Sequence, residues 1–141
     1  KKFKKKKGNV FVMISDGECQ EGTTWESLLI SSKHKLSNLI IIIDYNKIQA
    51  LDKLENALPL ENLRKKLSSF NMNTINVKNG HSFKELSSAF KKIQKSQKPS
   101  VIILNTIKGK GIKEFENDPV WHARKLNEKE IFIAKQRLGL K

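Results

Sequence analysis

A single cysteine, Cys19, leaves this chain no internal disulfide and no cysteine-based zinc site. Glu18 beside it disfavours a low-pKa nucleophile, because a neighbouring negative charge opposes the thiolate. No apolar run approaches the roughly 20 residues of a membrane span. The lysine-rich start has neither the apolar stretch nor the small-residue cleavage pattern of a signal peptide. The expected location is therefore cytoplasmic, with no membrane partner. Arginine is scarce, lysines are spread over nearly every segment, and there is no aromatic-interleaved basic motif of the kind single-strand binders use. The formal charge of +14 is accordingly read as surface composition, with no nucleic-acid partner.

What is present is an alternation of apolar runs and amphipathic stretches. Asn9 to Ile14 is a short Val- and Ile-bearing run that stops at Ser15-Asp16-Gly17, the composition of a strand ending in a tight turn. Thr23 with Glu26 has the form of a capping box, and Trp25, Leu28, Leu29 and Ser32 follow at helical spacing. Leu39 to Ile43 reads as a buried parallel strand ending at Asp44-Tyr45-Asn46. A polar connection from Lys47 to Pro59 leads to a helix over Leu60 to Phe70 and a third strand over Thr74 to Val77. After the turn Lys78-Asn79-Gly80-His81, Ser82 and Glu85 repeat the capping-box form, and a fourth strand spans Val101 to Leu104. A long loop from Lys108 to Arg124 and a terminal helix opened by Asn127 and Glu130 complete the chain. His34 and His81 are read as surface or turn residues.

The expected fold is α/β, a parallel sheet of four strands with helices on both faces. Its 141 residues, 38% of them hydrophobic, suit one domain. Residues 1–8 form a basic lead-in whose Lys1 is not expected to be a natural start, and residues 9–141 form the domain.

Two parallel strands joined by a crossover helix place their carboxyl ends side by side, so Asp16 and Asn46 should face one crevice. A carboxylate, an amide oxygen and a backbone carbonyl are the hard donors that Mg²⁺ takes alongside phosphate oxygens. Gly17 would let a phosphate approach the backbone. The ligand implied is a magnesium diphosphate.

The pattern from Asp16-Gly17 through Glu21-Gly22, Trp25-Glu26 and His34-Lys35-Leu36 to Asp44-Tyr45-Asn46-Lys47-Ile48-Gln49 resembles the thiamine-diphosphate motif of transketolases, specifically their separate N-terminal subunit. That family spaces its metal-binding Asp and Asn thirty positions apart, as here. The resemblance continues in Lys108-Gly109-Lys110-Gly111 and in Glu116 to His122, so it covers nearly the whole chain after Gly8. It departs at Ser15 and Ala123, where the family has Gly.

The resemblance implies that Asp16, Asn46 and the Ile48 carbonyl hold Mg²⁺. Gly17, Asn46, Lys108 and His122 would contact the cofactor, thiamine diphosphate, with His122 also catalytic near the substrate. Glu21 and Glu26 would be interface acids that connect paired active sites. The implied activity transfers a two-carbon ketol unit from a ketose phosphate to an aldose. A C-terminal transketolase subunit would supply the pyrimidine-binding domain, in a dimer or heterotetramer. The family's N-terminal subunit has a substantial region ahead of the metal motif, so the domain is expected to be incomplete at its N-terminus. Two other readings stay open: another thiamine-diphosphate enzyme, such as a deoxyxylulose-phosphate synthase or a 2-oxo acid dehydrogenase component, and a non-catalytic fragment or assembly module.

Overall fold

The four apolar runs become four parallel strands. A computed structural model describes residues 7–50 and 52–140 of the chain, so most of the expected lead-in at residues 1–8 lies outside it. The strands are β1 (Val10–Ser15), β2 (Leu39–Tyr45), β3 (Asn73–Val77) and β4 (Ser100–Asn105), and they stand in the order β1-β2-β4-β3. Ile14 lies opposite Ile43, and Ile43 opposite Ile103, so all four strands end along one edge of the sheet.

The helices divide between the two faces for a topological reason. From β1 to β2 the chain steps one way along the sheet, and from β3 to β4 it steps back. Crossovers of one hand therefore put their helices on opposite faces. On one side, α1 (Gly22–Lys33), α2 (Leu54–Ala57) and α3 (Leu63–Ser69) bring Leu28, Leu54, Leu63 and Leu67 onto Ile41, Ile43, Val101 and Ile103. On the other, α4 (Phe83–Ile93) lays Ala89 and Ile93 over Ile40, Ile102 and Leu104. Val101 and Ile102 are fully buried, and each such side chain contributes about 2 kcal/mol of transfer free energy.

Three expectations need correction. Thr23 is not the cap of α1: the helix starts at Gly22 with Glu21 at the N-cap position and no side-chain capping bond. A 3-10 turn over Gly17–Gln20 precedes it and carries the chain directly into the helix, while the Thr24 hydroxyl donates to the Glu18 carbonyl at 2.7 Å. The helix expected from Leu60 begins only at Leu63, because Asn62 takes a left-handed conformation with φ 54°. Within the polar connection, Leu54–Ala57 makes a helical turn that buries Leu54.

The other caps form. Ser82 accepts from the Glu85 amide, while the Glu85 carboxylate reaches past it to the Asn79 amide at 3.1 Å. Asn127 and Glu130 close a complete capping box at the start of α5 (Glu128–Arg137). An ion pair between Arg137 and Glu114 ties α5 to the loop after β4.

β1 is an edge strand, and its apolar side chains stand open: Phe11 is 57% exposed and Met13 66%. A strand of a parallel sheet is ordinarily covered on both faces.

Candidate diphosphate site at the carboxyl edge of the sheet

Ser15 pairs with Asp44 across β1 and β2, so the chain leaves both strands at the same level. The Asp16 amide then donates to the Asp44 carbonyl at 3.2 Å. The Asp16 side chain turns across the gap and accepts the Lys47 amide at 2.6 Å. For that amide to point at Asp16, Lys47 adopts φ 66°, a left-handed conformation that costs a lysine about 1 kcal/mol. Asn46 makes a local turn of its own, its Oδ1 accepting from the Ile48 amide at 3.0 Å.

Asp16 is only 1% exposed. Burial pushes its carboxyl above the ordinary carboxylate range and the nearby Asp44 charge adds to this, while hydrogen bonds from the Lys47 and Gly17 backbone oppose it. Asp44 is itself held on both oxygens, by the Thr106 hydroxyl and by the Asn46 amide at 3.3 Å. Two neighbouring carboxylates at this edge make a field that a cation would relieve.

The donor set fits a hard divalent ion. Among the described residues no group of three or more His, Cys, Asp or Glu could hold a metal. A cation here would take one protein carboxylate, amide and carbonyl oxygens, and otherwise ligand or water oxygens, which is the habit of Mg²⁺. A Cβ added at Gly17 would meet Ser15 Oγ at 3.7 Å, an ordinary contact, so packing does not demand glycine there.

A cleft of about 520 Å³ opens at the end of β2, lined by Asn46, Lys47, Ile48, Glu61 and Asn117 among others. Two of the residues expected to bind metal, Asn46 and Ile48, thus line it. Asp16 does not line it, but accepts the amide of Lys47, which does. Lys108 does not line the cleft, but its carbonyl accepts from the amide of Asn117, which does, at 3.0 Å. His122 ends the 3-10 turn Pro119–His122; it is exposed and does not line the cleft. Glu21 and Glu26 are also exposed, at the start of α1.

The loop between β4 and α5 has internal structure. Lys110 pairs with Glu116 at 3.1 Å, and Trp121 lies between Phe115, with ring centroids 4.2 Å apart, and the Arg124 guanidinium at 4.3 Å. Gly109 sits at φ 75° with Phe115 O only 2.3 Å from where a Cβ would be.

The two departures are both absorbed. Ser15 donates from its amide and its hydroxyl to the Glu18 carboxylate at 2.8 and 2.9 Å, and accepts from the Glu18 amide at 3.2 Å. Ala123 has φ −136°, so no glycine is required.

Sequence reasoning missed Thr106 and His81. Thr106 steadies Asp44, and His81 Nε2 accepts the Ile107 amide at 2.8 Å. The available signal was position, since Thr106 directly follows β4 and His81 lies in the short turn after β3.

Residues 2–141 match the family model described as transketolase, thiamine diphosphate binding domain. The chain belongs to the transketolase family. It is 36% identical over 132 residues to one subunit of an apulose-4-phosphate transketolase from Actinobacillus succinogenes, a match covering 94% of this chain and 48% of that protein. It is 38% identical over 120 residues to a 6-deoxy-6-sulfo-D-fructose transketolase subunit of a Clostridium species, covering 84% and 43%. The transketolase of Campylobacter jejuni superposes with a TM-score of 0.87 at 30% identity, over 95% of this chain and 21% of that one. This transketolase-family chain therefore spans about half the length of the two subunits it matches, and its four-stranded parallel sheet is that of the thiamine-diphosphate-binding domain.

Proposed function

We propose that this chain holds the Mg²⁺-diphosphate end of thiamine diphosphate within a transketolase that moves a two-carbon ketol unit from a ketose phosphate to an aldose. The observation that carries the reading is the buried Asp16 carboxylate, held between the ends of β1 and β2 with Asp44 beside it. Asp16, Asn46 and the Ile48 carbonyl would take the ion, while Gly17, Asn46, Lys108 and His122 would meet the cofactor. When bound, thiamine diphosphate supplies the stabilised carbanion that the chemistry needs. The protein's part is positioning. Asp16 is fixed by the Lys47 amide and Lys108 extends from a loop closed by Asn117, while the role proposed for His122 is to hydrogen-bond an oxygen on which charge develops.

Residues 9–141 are the diphosphate-binding domain in this reading, working in the cytoplasm. Two relatives are named as subunits of transketolases, which supports a partner chain that binds the aminopyrimidine ring. Glu21 and Glu26, exposed at the start of α1, would lie at that interface. The test is calorimetric titration of thiamine diphosphate and Mg²⁺ into the native assembly carrying Asp16→Ala. Loss of Mg²⁺-dependent binding is expected; unchanged binding would remove the metal site.

A further inference from the structure

His81 lies outside the cleft and has no part in the reading above, yet it is built into the base of the loop that carries Lys108. The turn between β3 and α4 is pressed against the end of β4. A Cβ at Gly80 would fall 2.6 Å from Thr106 Cγ2 and 3.1 Å from the Asn105 carbonyl, so only glycine allows this approach. The Gly80 amide donates to that carbonyl at 2.8 Å. Asn79 then orients the next residue, its Oδ1 accepting the His81 amide at 3.0 Å. The imidazole reaches over, and its Nε2 accepts the Ile107 amide at 2.8 Å.

Ile107 is the residue at which the chain leaves the sheet for the loop. On one side of it Thr106 is fastened to Asp44 on β2. On the other, the Ile107 carbonyl accepts from Lys110 at 3.3 Å and the Lys108 carbonyl from Asn117 at 3.0 Å. The direction in which Lys108 sets out is thus held from two sides, by Thr106 across the sheet and by His81 from the neighbouring turn. An acceptor Nε2 requires the proton on Nδ1. A side chain without an acceptor at that reach would leave the half-buried Ile107 N–H unmatched.

We infer that His81 is a positioning residue for Lys108: by accepting the Ile107 amide it sets the path of the loop that presents the lysine to a diphosphate. This rests on the assignment of Lys108 to the cofactor's diphosphate, and the test keeps the two apart.

His81→Ala and His81→Gln are compared with the parent in the native assembly. Glutamine has an oxygen at about the reach of Nε2, so it can accept the same amide. The first readout, amide hydrogen exchange, needs no ligand: residues 107–112 should exchange about tenfold faster in His81→Ala, with β2 unchanged. The second is the affinity for Mg²⁺-thiamine diphosphate, expected to weaken about fivefold in His81→Ala. Both effects should be largely reversed in His81→Gln. Unchanged exchange in His81→Ala would overturn the hold on the loop. Faster exchange with undiminished affinity, or failure of glutamine to restore affinity, would overturn positioning. A parent assembly that binds no thiamine diphosphate would sink the cofactor assignment and with it the role toward Lys108, while exchange would still decide whether His81 holds the loop.

Discussion

The Asp16 carboxylate and the Lys47 amide, 2.6 Å apart, join the end of β1 to the turn after β2, so the sheet edge and the cleft wall form one unit. Two demands meet at this carboxylate. It serves as a structural acceptor, and it carries the charge that a cation would need.

Substitution separates the two. Asp16→Asn keeps an oxygen for the Lys47 amide and removes a charge that burial opposes, so metal-free stability should stay within about 1 kcal/mol of the parent. Mg²⁺-dependent binding of thiamine diphosphate should nonetheless weaken at least about tenfold. Urea unfolding and calorimetry on the same variant read the two quantities. Equal loss in both would mean that Asp16 is structural only.

Lys47 holds a left-handed φ of 66° without the freedom of glycine. Lys47→Gly should relieve the strain and leave the chain as stable as the parent or more so, by up to about 1 kcal/mol after the added unfolded-state entropy. A thermal melt that moved downward by several degrees would show that the lysine side chain contributes more than its backbone costs.

In the loop after β4, two glycines with positive φ make opposite demands on space. Gly109→Ala would drive a methyl group toward Phe115 O, 2.3 Å away, whereas Gly111 has nothing within 4 Å. The first substitution should cost at least about 2 kcal/mol, or unseat the loop, and the second about 1 kcal/mol from backbone strain alone. Hydrogen exchange across residues 107–117 would rank them, and equal effects would contradict the packing described.

Cys19 is buried, and desolvation first, then the Asp16 and Glu18 charges, push its thiol up to about 12. The folded chain therefore keeps this proton where an unfolded thiol, titrating at roughly 8.5, has released it. With more protons bound in the folded state, this group lowers stability as pH rises from there toward 12, by at most about 1.4 kcal/mol per pH unit. Cys19→Ala should flatten that fall relative to the parent. Native Cys19 should also resist iodoacetamide at pH 8, and prompt alkylation there would refute the burial.

The fold was legible where one residue type dominates a short window. Leu39 to Ile43 and Val101 to Leu104 are unbroken apolar runs, and each became the heart of a central strand. The Asn127–Glu130 cap was legible because both its bonds form within four residues. Thr23-x-x-Glu26 misled, since the pattern does not reveal that the preceding Gly17–Gln20 segment is already turning. The insertion of β4 between β2 and β3 depends on long-range pairing that no local window contains. The same holds within the site. Asp16 and Asn46 stood out by residue type and strand position, but the bonds of Thr106 to Asp44 and His81 to Ile107 span 62 and 26 residues.

The chain has two tryptophans, and the fold sends them to different places. Trp25 lies against Phe70 on the α1–α3 side of the sheet, with ring centroids 5.3 Å apart, and donates to the Cys19 carbonyl at 3.0 Å. Trp121 sits in the loop between Phe115 and Arg124, its Nε1 buried and, among the described residues, without a hydrogen-bond partner. The molecule thus carries its own pair of optical reporters. Replacing Trp121 with phenylalanine leaves an emission that follows the core alone, and replacing Trp25 leaves one that follows the loop.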